Sequence, residues 1–142
     1  MRLSKCQRER LRQKFGGRCA YCGEALGERW HADHFVALHR RARYVRGRGL
    51  VTMAVEHAAR PHMDTEDNLM PACAPCNIDK HGMALEAWRR KLQDTANVLR
   101  RNYPTYRHAL RFGLVRETGA RVAFYFEQVR AIRCRAALPK ED

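Results

Sequence analysis

The chain has 142 residues, with 28 Lys and Arg against 15 Asp and Glu and a formal net charge of +13. That length suits one domain with one modest core, and the charge predicts a polyanionic partner, nucleic acid above all. No long apolar run is present and the opening segment is charged throughout, so neither a membrane span nor a secretory signal is expected and the protein reads as intracellular and cytoplasmic.

Ser4, with Gln7 three residues later, makes a capping box that starts a helix running to Phe15, with Leu3, Gln7, Leu11 and Phe15 on one face. Gly16-Gly17 ends it. Lys5, Arg8, Arg10, Arg12 and Lys14 occupy the other faces with Glu9 as their only acid, so a solvated surface and a phosphate-facing one are equally expected. Residues 29–38 read as a strand carrying Asp33 and His34. Residues 39–66 are the least regular stretch and read as a long surface excursion. Arg40, Arg41, Arg43, Arg46 and Arg48 fall there with no acid among them, directly after the strand bearing His34, and are expected to contact nucleic-acid phosphates. Pro75 opens a short helix that Gly82 closes, which puts Asn77 in its first turn and His81 one turn later on the same face. Leu85, Trp88, Leu92, Ala96 and Leu99 recur at helical spacing and predict one amphipathic helix from about residue 84 to 101. Pro104 restarts a helix through Leu110, Thr118-Gly119 reads as a turn, and Val122, Phe124 and Phe126 alternate as one face of a strand. The tail after Cys134 reads as frayed, and Cys6 and Cys134 read as buried free thiols.

The chemistry concentrates between residues 19 and 81. Cys19 and Cys22 form one CxxC pair, and Cys73 and Cys76 form another about fifty residues later. Each pair presents two sulfurs from one tight turn, and together they complete the tetrahedron of a structural zinc. Near them lie Asp33-His34, Asn68 and Asn77, groups suited to hydrolytic metal chemistry. A neutral imidazole takes a proton from water, while a carboxylate and an amide oxygen hold a hard cation, Mg²⁺ or Mn²⁺ in preference to zinc. Asn68 cannot transfer a proton; its amide would hold a backbone carbonyl near His34, or the imidazole itself. His31 and His81 are secondary candidates, and Lys80 is expected to touch a phosphate.

In order and spacing, Cys19-Ala20-Tyr21-Cys22-Gly23, Ala32-Asp33-His34, Asp67-Asn68-Leu69 and Cys73 through Lys80 resemble the HNH endonuclease family. The resemblance covers roughly residues 15–82, a little under half the chain. It implies an α+β fold in which a ββα-metal core is stapled by the zinc. The whole chain, 1–142, would be a single domain, with residues 83–142 as an extension packing on the core. By that resemblance His34 is the general base, Asn68 the middle asparagine and Asp33 a metal ligand. Asn77 stands where the family's last histidine usually stands, giving an H-N-N variant with His81 as a second candidate for the metal. The implied activity is metal-dependent hydrolysis of duplex DNA, by nicking or by cutting both strands, with structural Zn²⁺, catalytic Mg²⁺ or Mn²⁺ and no small-molecule substrate. The competing reading is a zinc-stapled nucleic-acid-binding module without catalysis, which leaves the coincidence of Asp33, His34 and Asn68 unexplained.

Overall fold

The computed structural model describes the backbone of residues 2–38, 40–47, 50–58 and 61–136, and the side chains of residues 2–38 and 61–132. Helices and antiparallel strands are mixed in an α+β arrangement: α1 (Lys5–Gln13), β1 (Trp30–His34), β2 (Arg40–Gly47), β3 (Leu50–Ala58), β4 (Leu69–Cys73), α2 (Ala74–Lys80), α3 (Leu85–Gln93), α4 (Thr95–Asn102), α5 (Pro104–Arg111) and α6 (Tyr125–Ala136). The chain divides into two compact units, one made of residues 1–84 with 124–142 and the other of residues 85–123. Among the described residues, no helix is long and apolar enough to cross a membrane.

In the first unit, β1 and β4 pair antiparallel from Trp30 opposite Cys73 to His34 opposite Leu69, and α2 follows directly and packs on both strands. The ladder therefore puts the second cysteine turn at one end of β1 and the Asp33-His34 dipeptide at the other. α1 begins as the capping box predicts, with Ser4 Oγ accepting from the Gln7 backbone N–H and Gln7 returning the bond, and Gly16 and Gly17 leave the helix at φ 61° and 72°. The core between these elements contains Leu11, Tyr21, Leu26, Trp30, Leu69, Ala72, Phe124 and Phe126, all below one-tenth exposed.

The segment predicted as a strand around Val122 to Phe126 is instead the lead into α6. Phe124 and Phe126 are both buried because the chain adds to the first cysteine turn, with Tyr125 N–H donating to Tyr21 O and Phe126 N–H to Ala20 O. Glu127 caps the new helix by accepting from the Phe124 N–H at 2.9 Å. Alternating burial thus arises from edge docking followed by a helix start, a pattern that periodicity alone reads as a strand. Tyr21 stacks edge-on against Phe124, and Phe35 against Phe126, which ties the start of α6 to the first cysteine turn and to the chain just after β1. Gly23 sits at φ 79°, and a Cβ there would come within 2.9 Å of the Tyr125 ring, so this turn accepts only glycine beneath the aromatic contact.

The arginine-rich excursion is not a loop. β2 and β3 form an antiparallel hairpin with Gly47 opposite Leu50 and a register shift at Arg41/Ala42. Tyr44, Val45, Val51, Thr52 and Val55 supply the β-branched and aromatic residues such strands favour. The side chains of Arg40, Arg41, Arg43 and Arg46 and the whole of Arg48 lie outside the described residues, as does the tail after Ala136.

In the second unit, the helix expected from residue 84 to 101 is two helices. α3 stops at Gln93 and α4 restarts at Thr95, because Asp94 and Thr95 are poor helix formers whose side chains bond locally. Asp94 Oδ1 accepts from Asn97 Nδ2 and Thr95 Oγ1 donates to Lys91 O. Arg89 binds the Glu86 carboxylate and donates to Val122 O, and Gln93 bonds the backbone of Ala120 and Val122, so α3 holds the extended segment ahead of residue 124.

Candidate metal centre and active-site pocket

Cys19, Cys22, Cys73 and Cys76 bring their sulfurs within 4.8 Å of one another. A tetrahedron with Zn–S bonds of about 2.3 Å separates its sulfurs by about 3.8 Å, and Cys22 Sγ lies 3.8 Å from Cys73 Sγ. The donor set and its spacing fit a zinc ion. The backbone reinforces it: Gly23 N–H bonds Cys19 O, and Cys73 N–H points at Cys19 Sγ at 3.4 Å, as amides do around metal thiolates. The thiols also compete for charge. The hydrogen bond from Cys76 draws the Cys19 thiol down to about 4, whereas burial pushes Cys22 up to about 11 and the Cys19 thiolate pushes Cys76 up. One thiolate thus forms at its neighbours' expense, and a bound divalent cation is what would let all four deprotonate. Cys6 is exposed and stands apart from this cluster, which corrects the expectation that it is buried.

Beyond the far end of β1, Asp33, His34, Ala37, Leu38, Asn77, Ile78, His81 and Gly82 line one open pocket of about 600 Å³. β1 delivers the first two polar residues and α2 delivers Asn77, while His81 follows at the C-cap of α2, its N–H bonded to Asn77 O. His34 Nε2 lies 2.9 Å from Asp64 Oδ1, just after the 3₁₀ turn Pro61–Met63. A carboxylate on Nε2 selects the tautomer with its proton there, so Nδ1 keeps its lone pair. Asp64 is the residue the sequence did not reveal; it stands 30 positions from His34, with no motif around it.

Asn68 is buried and does not line the pocket. Its Oδ1 accepts from Val36 N–H, and its Nδ2 donates to both Val36 O and Met63 O, each at 2.9 Å, while Phe35 N–H donates to Asn68 O at 2.8 Å. It therefore fixes the chain just after His34 to the chain just before Asp64, which sets the distance between the two members of the hydrogen-bonded pair.

Asp33 is 8 % exposed and Lys80 is completely buried. Lys80 Nζ lies 2.8 Å from Asp33 Oδ2 and donates to His34 O, also at 2.8 Å. Tyr21 O–H donates to the same Oδ2; burial first, and then the Asp33 charge, raise the phenol above its ordinary range, so it stays protonated as a donor. The expectation that Lys80 touches a phosphate is corrected, because its ammonium is enclosed and spent on Asp33 and the His34 carbonyl. The Lys80 and Tyr21 contacts of Asp33 both fall on Oδ2, so among the described residues Oδ1 is the oxygen left to a ligand in the pocket.

The basic helix α1 is likewise turned to internal work. Arg8 donates to Trp30 O at 2.7 Å with its guanidinium over the Trp30 ring, Arg12 to Leu26 O at 3.0 Å, and Lys14 to Leu69 O at 3.0 Å. Arg10 and Gln7 both reach Glu66 in the 3₁₀ turn that carries Asn68. Cationic heads satisfy loop and strand carbonyls there. His31, exposed on β1, does not line the pocket. No family model, curated protein or solved structure matches the chain.

Proposed function

We propose that the protein is a metal-dependent endonuclease of HNH type that hydrolyses phosphodiester bonds in duplex DNA, with a zinc-stapled ββα core as its frame. The observation that carries this reading is the pocket itself: a base-competent imidazole held by a carboxylate, a second carboxylate, an amide and a second imidazole converge on one cleft of a chain whose charge is +13.

His34 Nδ1 takes a proton from water, and Asp64 holds the ring and stabilises the charge it gains, as an orienting carboxylate does for any catalytic imidazole. The water oxygen bonds to phosphorus as the P–O3′ bond breaks, and the 3′ oxygen departs as a hydroxyl by taking a proton from solvent. Lys80 and Asn68 position His34 through its carbonyl and the following backbone without touching substrate. Asp33 Oδ1 and Asn77 are the oxygen donors that would hold Mg²⁺ or Mn²⁺, which would supply positive charge for the phosphoryl and leaving oxygens. This donor set fits a hard cation held weakly, since Lys80 already offsets the one carboxylate, and the phosphates of the substrate would complete the coordination.

Supercoiled plasmid incubated with the zinc-loaded protein and Mg²⁺ or Mn²⁺ is expected to relax or linearise, leaving 5′-phosphate and 3′-hydroxyl ends, and to stay intact with a chelator of the added cation. Persistent binding with no cut under either cation would return the chain to the class of zinc-stapled nucleic-acid-binding modules.

A further inference from the structure

We infer that His81 is a catalytic hydrogen-bond donor that presents its Nε2–H to an oxygen of the scissile phosphate; the role rests on the nuclease reading of the pocket. Two independent features of the backbone point to it.

The first is strain. α2 ends at Lys80, and the chain turns back through Lys80, His81, Gly82 and Met83, closed by Met83 N–H to Lys80 O at 3.0 Å. His81 has φ 48° and ψ −130°, the second position of a type II′ turn, where glycine dominates because a Cβ is crowded there. It is the one non-glycine at positive φ among the described residues. Gly82 follows one position too late to take the strained place. A histidine kept in a conformation suited to its neighbour, at the wall of the pocket, is strain of the kind that collects at functional sites.

The second is the tautomer. Gly82 N–H donates to His81 Nδ1 at 2.7 Å, which requires a lone pair on Nδ1. The neutral ring must therefore carry its proton on Nε2. An imidazole in that state offers a donor and no lone pair for a cation, so the geometry assigns His81 to the phosphate and leaves the metal to Asp33 and Asn77. His34 and His81 are then complementary: Asp64 makes Nδ1 of the first an acceptor, and Gly82 makes Nε2 of the second a donor. No proton leaves His81; its N–H strengthens its bond as charge grows on the phosphoryl oxygen.

Two measurements on the zinc-loaded full chain test this. Long-range ¹H–¹⁵N spectra of the histidine side chains, without DNA, should show His81 as the Nε2–H tautomer, and inorganic phosphate should shift that resonance while leaving exposed His108 unmoved. The Nδ1–H tautomer, or no response to phosphate, would overturn the assignment even if the protein cuts DNA. In the cleavage assay His81→Ala should lower the single-turnover rate about a hundredfold with zinc content and Tm retained, and His81→Gln, whose amide N–H reaches a similar place, should recover much of it. A His81→Ala rate within about threefold of the parent would remove the catalytic role. Failure of the parent to cut at all would sink the nuclease reading, while the phosphate titration would still decide whether His81 binds phosphate.

Discussion

Replacing Lys80 with methionine is expected to destabilise the fold by about 3–5 kcal/mol, the usual consequence of leaving one partner of a buried ion pair behind. Lys80 has no exposed surface, and its ammonium is 2.8 Å from an Asp33 carboxylate that is itself 8 % exposed. Methionine fills nearly the same space, so the loss is electrostatic: the carboxylate keeps the Tyr21 hydroxyl but loses its counter-ion, and the His34 carbonyl loses its donor. Against a typical domain stability of about 5–15 kcal/mol, that is enough to bring the chain near its unfolding threshold. The double variant Asp33→Asn with Lys80→Met should regain most of the loss, because no charge then remains buried. Urea unfolding followed by circular dichroism measures both. A single-variant loss under about 1 kcal/mol would mean that water reaches the pair and that Lys80 is free for another role.

The zinc site should have the other large effect. Elemental analysis is expected to give one zinc per chain, and stripping it, or making Cys19→Ser, should abolish cooperative melting of the unit that contains β1, β4 and α2. Cys19 is fully buried between the two cysteine turns, and its sulfur accepts from Cys73 N–H, so its loss opens the contact that joins them. Structural zinc binding contributes about 10–16 kcal/mol in small zinc-dependent folds, comparable to the whole stability of an ordinary domain. A metal-free protein with an unchanged Tm would show that the cysteines cluster without serving a metal.

The parts of the fold set by short-range rules were readable in advance. A capping box needs only Ser4 and Gln7, and two CxxC pairs need only their spacing; Asn77 and His81, expected together on one helix face, both line the pocket, but His81 gets there from the turn that follows α2. What stayed hidden depends on contacts distant in sequence. A lysine in the last turn of a short helix normally faces solvent, and only Asp33 on a neighbouring strand draws Lys80 inside. Asp64 meets His34 next to the point where Asn68 ties Val36 to Met63, a contact between segments far apart in sequence. The basic residues of α1 resembled a phosphate-binding face until Trp30, Leu26 and Leu69 supplied carbonyls for them. In the hairpin of β2 and β3 the strand signal was present in Tyr44, Val45, Val51 and Val55, but the density of arginines obscured it.

The proposed hydrolysis depends on His34 acting as the base. Single-turnover cleavage of plasmid at saturating protein, with DNA affinity measured on the same samples, compares the parent with His34→Ala most directly. Removing a general base acts on the chemical step, whereas affinity is set by many cationic contacts to phosphate. The predicted result is a fall in cleavage rate of about a thousandfold or more, with affinity and zinc content unchanged. A His34→Ala protein that cuts at the parent's rate would contradict the assignment of this pocket as the site of hydrolysis.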